Sequence, residues 1–321
     1  MPQTFRARIG ILAIVAAIAV LAGCGADRTA DTGSNAADGT TTSDRRMAPL
    51  TVGLMPAVDT APMFVAQDAG YFVDEGLDVT FQLFTNAQDR QSALQTGQID
   101  GAMTDLVAVA VNVAGGFDIR ATMLTDGMFP VLTQSGAADR ETVSIGLMEV
   151  SVSNFLVDQW LGDDHTLEKV FINSIPARLE AVASGQLDMG LFPEPIASVG
   201  EMRGLEKLLF EPVDGFSPDV IVFTGAALQN KSREIAAFHA AYNRAVADIA
   251  ADGTVAMDAI ISHIPNVSGE LRPFIVLPEY HTARLPDDAA VTRIIDWTRT
   301  VVDGDLAVDS DRLLDRSFVE G

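Results

Sequence analysis

Lysine is almost missing from this 321-residue chain, which carries only Lys169, Lys207 and Lys231. Acidic residues number 44 against 21 Lys plus Arg, for a formal net charge of −23. A nucleic-acid binder must neutralise phosphates with basic side chains, so this balance excludes that partner. It also argues against adhesion to anionic lipid through charge, and most of the acidity solvates the surface. Cysteine occurs once, as Cys24. The body therefore has no thiol for a disulfide or a nucleophile. The four histidines, His165, His239, His263 and His281, are too scattered for ligand spacing, and no metal site is expected. No Gly-x-Ser-x-Gly elbow, phosphate-cradling loop or dinucleotide fingerprint appears, so no cofactor is expected and an enzyme reading is poorly supported.

What is present starts with an export-type segment over residues 1–23. Arg6 and Arg8 precede an apolar run from Ile9 to Val20, interrupted only by Gly10. A run of about 12–15 residues is short for a bilayer span and suits a signal h-region. It ends in Leu21-Ala22-Gly23-Cys24, which resembles a bacterial lipoprotein signal. That resemblance implies a lipid on Cys24 and an extracytoplasmic location on the cell membrane. Loss of Arg6 and Arg8 leaves 19 basic against 44 acidic residues, a net charge of −25. Residues 24–48 lack a large apolar residue before Met47 and read as a flexible tether.

About 270 residues remain, more than one core usually serves, so two lobes are expected. The pattern alternates strand and helix, as in βαβ units. Strands are expected at 50–55, 77–83, 99–104 and 119–125, with helices at 61–76, 86–97 and 105–115. The cycle restarts with strands at 143–148, 169–172 and 187–192 and helices at 153–161 and 176–185. Arg90, Ala93, Leu94, Gly97, Gln98, Ile99 and Asp100 match Arg178, Ala181, Val182, Gly185, Gln186, Leu187 and Asp188 at a constant offset of 88. A strand at 217–225, one long helix over 227–253 and further helices follow. The expected fold is α/β: two lobes, each a mainly parallel sheet flanked by helices, joined by two crossovers near 126–135 and 214–224, with a helical C-terminal region. Residues 49–127 form lobe 1, 128–220 lobe 2, and 221–321 return to lobe 1 and complete the chain.

The stretches "LTVGLMPAVDTAPMFVAQDAGYFVDEGLDV", "ALQTGQIDGAMTD" and "IPARLEAVASGQLDMGLFPEPIAS" resemble the substrate-binding proteins of ABC importers, within the nitrate, sulfonate, taurine and pyrimidine-precursor group. The resemblance implies a type II periplasmic binding protein fold. It also implies a small-molecule ligand held between the lobes, an ABC permease as partner, a lipid tether to the membrane and a monomeric receptor. The same fold hosts enzymes of pyrimidine and menaquinone biosynthesis, and a ligand-sensing lipoprotein without transport is a further alternative.

Ligands of open α/β sheets sit beyond the carboxyl ends of the strands. That rule selects Asp59, Thr60, Thr104, Asp105 and Asp126 in the first round, and Ser151, Ser153, Asn154 and Glu194 in the second. Asp59, Thr60, Asp105, Ser151 and Ser153 also precede helices, where capping is an equal role. Pro193 and Pro195 fix the backbone around Glu194, so its carboxylate is expected at the cleft, solvated when the site is empty. None of the three lysines falls at an expected mouth, and Arg90 and Arg178 lie within helices. An anion receptor of the nitrate or sulfonate type wants positive charge and donors. Mouths carrying acids and hydroxyls favour a heteroaromatic or amine-bearing ligand, with Phe129, Phe155 and Phe192 as candidates to stack on it or to fill the core.

Overall fold

The computed structural model describes residues 47–319. The signal segment, Cys24 and most of the expected tether lie outside the described residues. Ten strands build two five-stranded sheets. The first contains β1 (Leu50–Leu54), β2 (Val79–Leu83), β3 (Gly101–Asp105) and β4 (Ile119–Leu124). The second contains β5 (Val131–Thr133), β6 (Thr142–Leu147), β7 (Thr166–Phe171), β8 (Met189–Leu191) and β9 (Glu206–Leu208). The chain then returns to the first sheet as β10 (Asp219–Thr224). The orders are β2-β1-β3-β10-β4 and β7-β6-β8-β5-β9, so the two sheets share one plan. Helices flank both.

The two-lobe α/β fold expected from the sequence is present. In each sheet four strands share one direction and one strand opposes them, so the sheets are mixed through that one strand. β1 pairs in parallel with β2 and β3, and β6 with β7 and β8. The crossover strands run the other way: β10 is antiparallel to β3 and β4, and β5 is antiparallel to β8 and β9. Each enters its sheet directly from the other lobe without a helical return, so its direction is reversed.

The 88-residue echo has a structural counterpart. Gly97 and Gly185 both close a helix in the left-handed region, at φ +71° and +74°. Asp100 accepts the Thr51 amide at 2.8 Å, and Asp188 accepts the Ser144 amide at 2.9 Å, so each fastens the start of its lobe's first long strand. Two expected helices are broken. The 61–76 segment divides into Ala61–Asp68 and Tyr71–Asp74, with Gly70 at φ +75° between them, and Val73 is left 78% exposed. The 227–253 segment divides into Gly225–Asn230 and Ser232–Ala251. Lys231 sits at that break and donates to the Pro49 carbonyl at 2.8 Å and to Asp100 at 2.7 Å. Two tertiary contacts here outweigh one turn of helix.

Contacts join the lobes away from the crossovers. The Val58 amide donates to the Glu194 carbonyl at 3.1 Å. Trp297, on the helix Asp288–Val301, donates to Asp158 at 2.9 Å, and its ring meets Phe155 edge-on at 5.4 Å. Among the described residues no helix is long and apolar enough to cross a membrane.

Candidate functional site

The first sheet gathers four aspartates at one mouth. Asp59 lies on the 3-10 turn Val58–Thr60 just after β1, and Asp105 ends β3. Asp219 opens β10 and stands directly across from Asp105 in the antiparallel register. Asp126 follows β4. Asp59, Asp126 and Asp219 are buried. The Arg90 guanidinium reaches back from the helix Ala87–Gln95, is itself buried, and donates to Thr104 Oγ1 at 3.0 Å. It lies within electrostatic reach of Asp59, Asp105 and Asp219.

One arginine does not compensate three carboxylates, two of them buried and Asp105 half-buried. Burial is the largest cause that pushes the Asp59 carboxyl up to about 6; Asp126 pushes in the same direction, while Thr125, donating to Oδ2 at 2.8 Å, and Arg90 pull it back. Asp219 is raised well above the ordinary carboxylate range, again first by burial and then by Asp59 and Asp105, although Ser217 donates to it at 2.8 Å. Asp105 is raised by burial and opposed by the Ala108 amide, Arg90 and the Val152 amide. Val152 begins the second lobe's helix Val152–Leu161, so the two lobes face each other at Asp105. Asp126 is balanced. Arg284 donates to its Oδ1 at 3.0 Å, and the His281 amide to its Oδ2 at 2.7 Å.

The remaining sequence candidates divide by role. Thr60 turns its hydroxyl to the Ala57 carbonyl at 2.6 Å and shapes its own turn. Thr104 faces Arg90, as above. Asp105 also caps the helix Leu106–Ala114 through the Ala108 amide at 2.9 Å. In the second lobe Ser151 caps Val152–Leu161 and its hydroxyl lies 2.7 Å from that of Ser153. Asn154 donates Nδ2 to the Glu149 carbonyl at 2.6 Å. That bond turns Oδ1 away, and Oδ1 is buried without a partner among the described residues.

Glu194 differs from expectation. It is fully buried, not solvated, and both carboxylate oxygens are occupied by protein donors. Oε2 accepts the Ser198 amide at 3.1 Å and hydroxyl at 2.7 Å. Oε1 accepts Lys207 Nζ at 2.7 Å and the Val276 amide at 3.4 Å. Lys207 also donates to the Phe274 carbonyl at 2.7 Å. The expectation that every lysine stays clear of the selected corners therefore fails at Lys207. The carboxylate between the two prolines lies against a buried ammonium.

Phe155 and Phe192 are buried core residues, the latter lying under the Arg178 guanidinium at 5.3 Å. Phe129 is half-buried and stays by the acidic mouth. A side chain added at Gly127 would come within 2.8 Å of the Phe129 ring and closer still to Asp219, so ring and carboxylate flank the same glycine. Asp219 is the residue that the sequence rule missed. Selecting carboxyl ends presumes parallel strands, and an antiparallel strand presents its amino end at the same mouth.

A family model described as NMT1/THI5 like matches residues 57–256. The chain belongs to the NMT1/THI5-like family. No curated protein matches. Among solved structures, the ligand-binding component of an ABC-type import system from Staphylococcus aureus, with zinc bound, is similar at 17% identity and a TM-score of 0.72, covering 85% of this chain and 98% of that one. The alkanesulfonate-binding protein SsuA from Xanthomonas axonopodis pv. citri, bound to MOPS, is similar at 15% identity and a TM-score of 0.65, covering 83% and 98%. A Candida albicans protein with the generic periplasmic binding protein fold is similar at 17% identity and a TM-score of 0.64, covering 84% and 97%. The NMT1/THI5-like chain therefore has the periplasmic binding protein fold, and the resemblance drawn from its sequence holds. Among its described residues no group of three or more His, Cys, Asp or Glu side chains is placed to hold a metal ion.

Proposed function

We propose that this chain is an extracytoplasmic solute receptor that captures a small amine-bearing or heteroaromatic molecule between its lobes and delivers it to an ABC permease. It acts as a monomer held at the membrane by a lipid on Cys24, and it performs no chemistry on its ligand. One observation carries the ligand class. The first lobe's mouth sets Asp59, Asp105 and Asp219 against Arg90 alone, while Asp126 is matched by Arg284. Burial lifts the three unmatched acids above their ordinary range, so each ionised carboxylate gains from a bound N–H donor or cation. An oxyanion would meet like charge. Asn154 supports the same class from the other lobe, since its free Oδ1 is an acceptor. The half-buried Phe129 ring suits a flat ligand. Ligand that touches both lobes stabilises their closed arrangement in proportion to its preference for it.

Titration calorimetry at pH 7.5 with 4-aminopyrimidine, ethanesulfonate and nitrate tests this reading. The aminopyrimidine should bind, and neither anion should compete with it. A charge-assisted hydrogen bond is worth roughly 1.5–3 kcal/mol, so the preference should exceed about tenfold. Binding of ethanesulfonate without binding of the aminopyrimidine would refute the ligand class.

A further inference from the structure

Tyr242 lies on the helix Ser232–Ala251 and is fully buried. Its hydroxyl has no hydrogen-bond partner among the described residues. Its ring packs in the apolar core of the first lobe, yet the residue stands within electrostatic reach of Asp126, Asp59 and Arg284. Tyr280 lies within electrostatic reach of the same pair, Asp59 and Asp126, and of Tyr242 itself. The other oxygen-bearing groups of this nest have partners. Tyr280 donates to the Val58 carbonyl at 2.8 Å, Asp59 accepts from Thr125, and Asp126 is held by His281 and Arg284. A buried hydroxyl with no partner costs stability, and its persistence calls for a group that arrives from outside.

We propose that Tyr242 and Asp59 together recognise a primary amino group, the phenol oxygen accepting one N–H and the Asp59 carboxylate another. The assignment rests on the amine-receptor reading above and adds to it a residue, an orientation and a selectivity. The amino end of the ligand enters the first lobe, and the remainder meets Asn154 and the second. Burial keeps the phenol protonated, so Tyr242 supplies an acceptor without adding charge to an already acidic mouth. Two acceptors that converge on one nitrogen require two N–H bonds. A primary amine provides them, and a dimethylated nitrogen provides none.

The test compares the full chain with its Tyr242→Phe variant, using 4-aminopyrimidine and N,N-dimethyl-4-aminopyrimidine as probes in calorimetry, with melting of the ligand-free proteins alongside. The wild type should prefer the primary amine by about tenfold or more, the size of one hydrogen bond to a site with an unpaired group. Tyr242→Phe should erase most of that ratio by weakening the primary amine alone. The melting temperature should hold or rise, because the removed hydroxyl has no partner among the described residues. An unchanged ratio in the variant overturns the assignment and leaves the amine-receptor reading standing. A fall in melting temperature with both probes weakened equally makes Tyr242 structural and also overturns it. Binding of ethanesulfonate with neither pyrimidine bound by the wild type brings down both.

Discussion

Replacing Lys207 with methionine should lower the melting temperature by about 10 °C. The Lys207 and Glu194 side chains are 4% and 0% exposed and 2.7 Å apart. Removing one partner of a buried pair leaves an uncompensated charge, which costs roughly 3–5 kcal/mol. For a domain of this size each kcal/mol moves the melting point by roughly 2–4 °C. The loss reaches beyond the pair, since Lys207 and Glu194 also bind the backbone at Phe274 and Val276 and so hold the C-terminal segment against the second lobe. Glu194→Gln should cost less. Lys207 retains Glu201 at 2.7 Å in that variant, and glutamine still accepts from Ser198. The double variant Glu194→Gln/Lys207→Met should recover much of the single Lys207→Met loss, because no charge is then stranded. Differential scanning calorimetry on the three proteins decides it. A Lys207→Met protein that melts with the wild type would show that the pair contributes nothing.

Asp59→Asn should raise stability at pH 7.5 by about 2–3 kcal/mol while weakening an amine ligand about 10- to 150-fold. The folded pKa of Asp59 lies near 6 against an ordinary 3.8. A raised acid favours folding only below its unfolded pKa, and that contribution is lost as pH rises through the folded value. At about 1.36 kcal/mol per unit, the wild type forgoes about 3 kcal/mol above pH 6. The amide keeps the shape and escapes that loss, but it gives up the charge-assisted bond of roughly 1.5–3 kcal/mol that the ligand would receive. His239 makes the pH profile diagnostic. Burial lowers its pKa from 6.5 to about 4, so its contribution is present above 6.5 and is lost as pH falls toward 4. In the wild type the two groups slope in opposite directions between about pH 4 and 6 and nearly cancel. Asp59→Asn removes one of them, so denaturant melts should show the variant losing about 3 kcal/mol relative to the parent on acidification from pH 6.5 to pH 4. Equal profiles would place the Asp59 carboxyl in water, not in the protein.

The strand-helix alternation was legible because βαβ units carry a strong period and a Gly stop, as at Gly97 and Gly185. β5 and β9 were not legible, since each spans three residues; β8 is equally short but is marked by the Gly185-Gln186-Leu187-Asp188 lead-in that repeats Gly97 to Asp100. The acidic mouth was half legible. Asp59, Asp105 and Asp126 stand at or just beyond strand ends and were selected, whereas Asp219 begins a strand and was not. Tyr242 gave no signal, because an aromatic residue on a buried helix face reads as packing until its hydroxyl is located. Glu194 is marked in the sequence by its two flanking prolines, but its occupant, Lys207, sits 13 residues along on a strand too short to anticipate. Sequence indicates which side chains lie at corners. Whether a corner opens to ligand or closes on a counter-ion depends on the tertiary neighbour.

The lysine scarcity noted at the outset has a practical consequence for handling the protein. Lys169 is held by Asp158 at 2.5 Å, Lys207 by Glu194 and Lys231 by Asp100, each at 2.7 Å. An amine-reactive dye, a biotin ester or a bead coupled through lysine thus has no spare side chain to take. Acylation of Lys231 would strip the charge that pins the break between two helices, and modification of Lys207 would need the seam of the molecule to open first. Attachment chemistry aimed at an engineered thiol on an exposed helix such as Asp288–Val301, at a position facing solvent like Arg299, would leave those three fastenings intact.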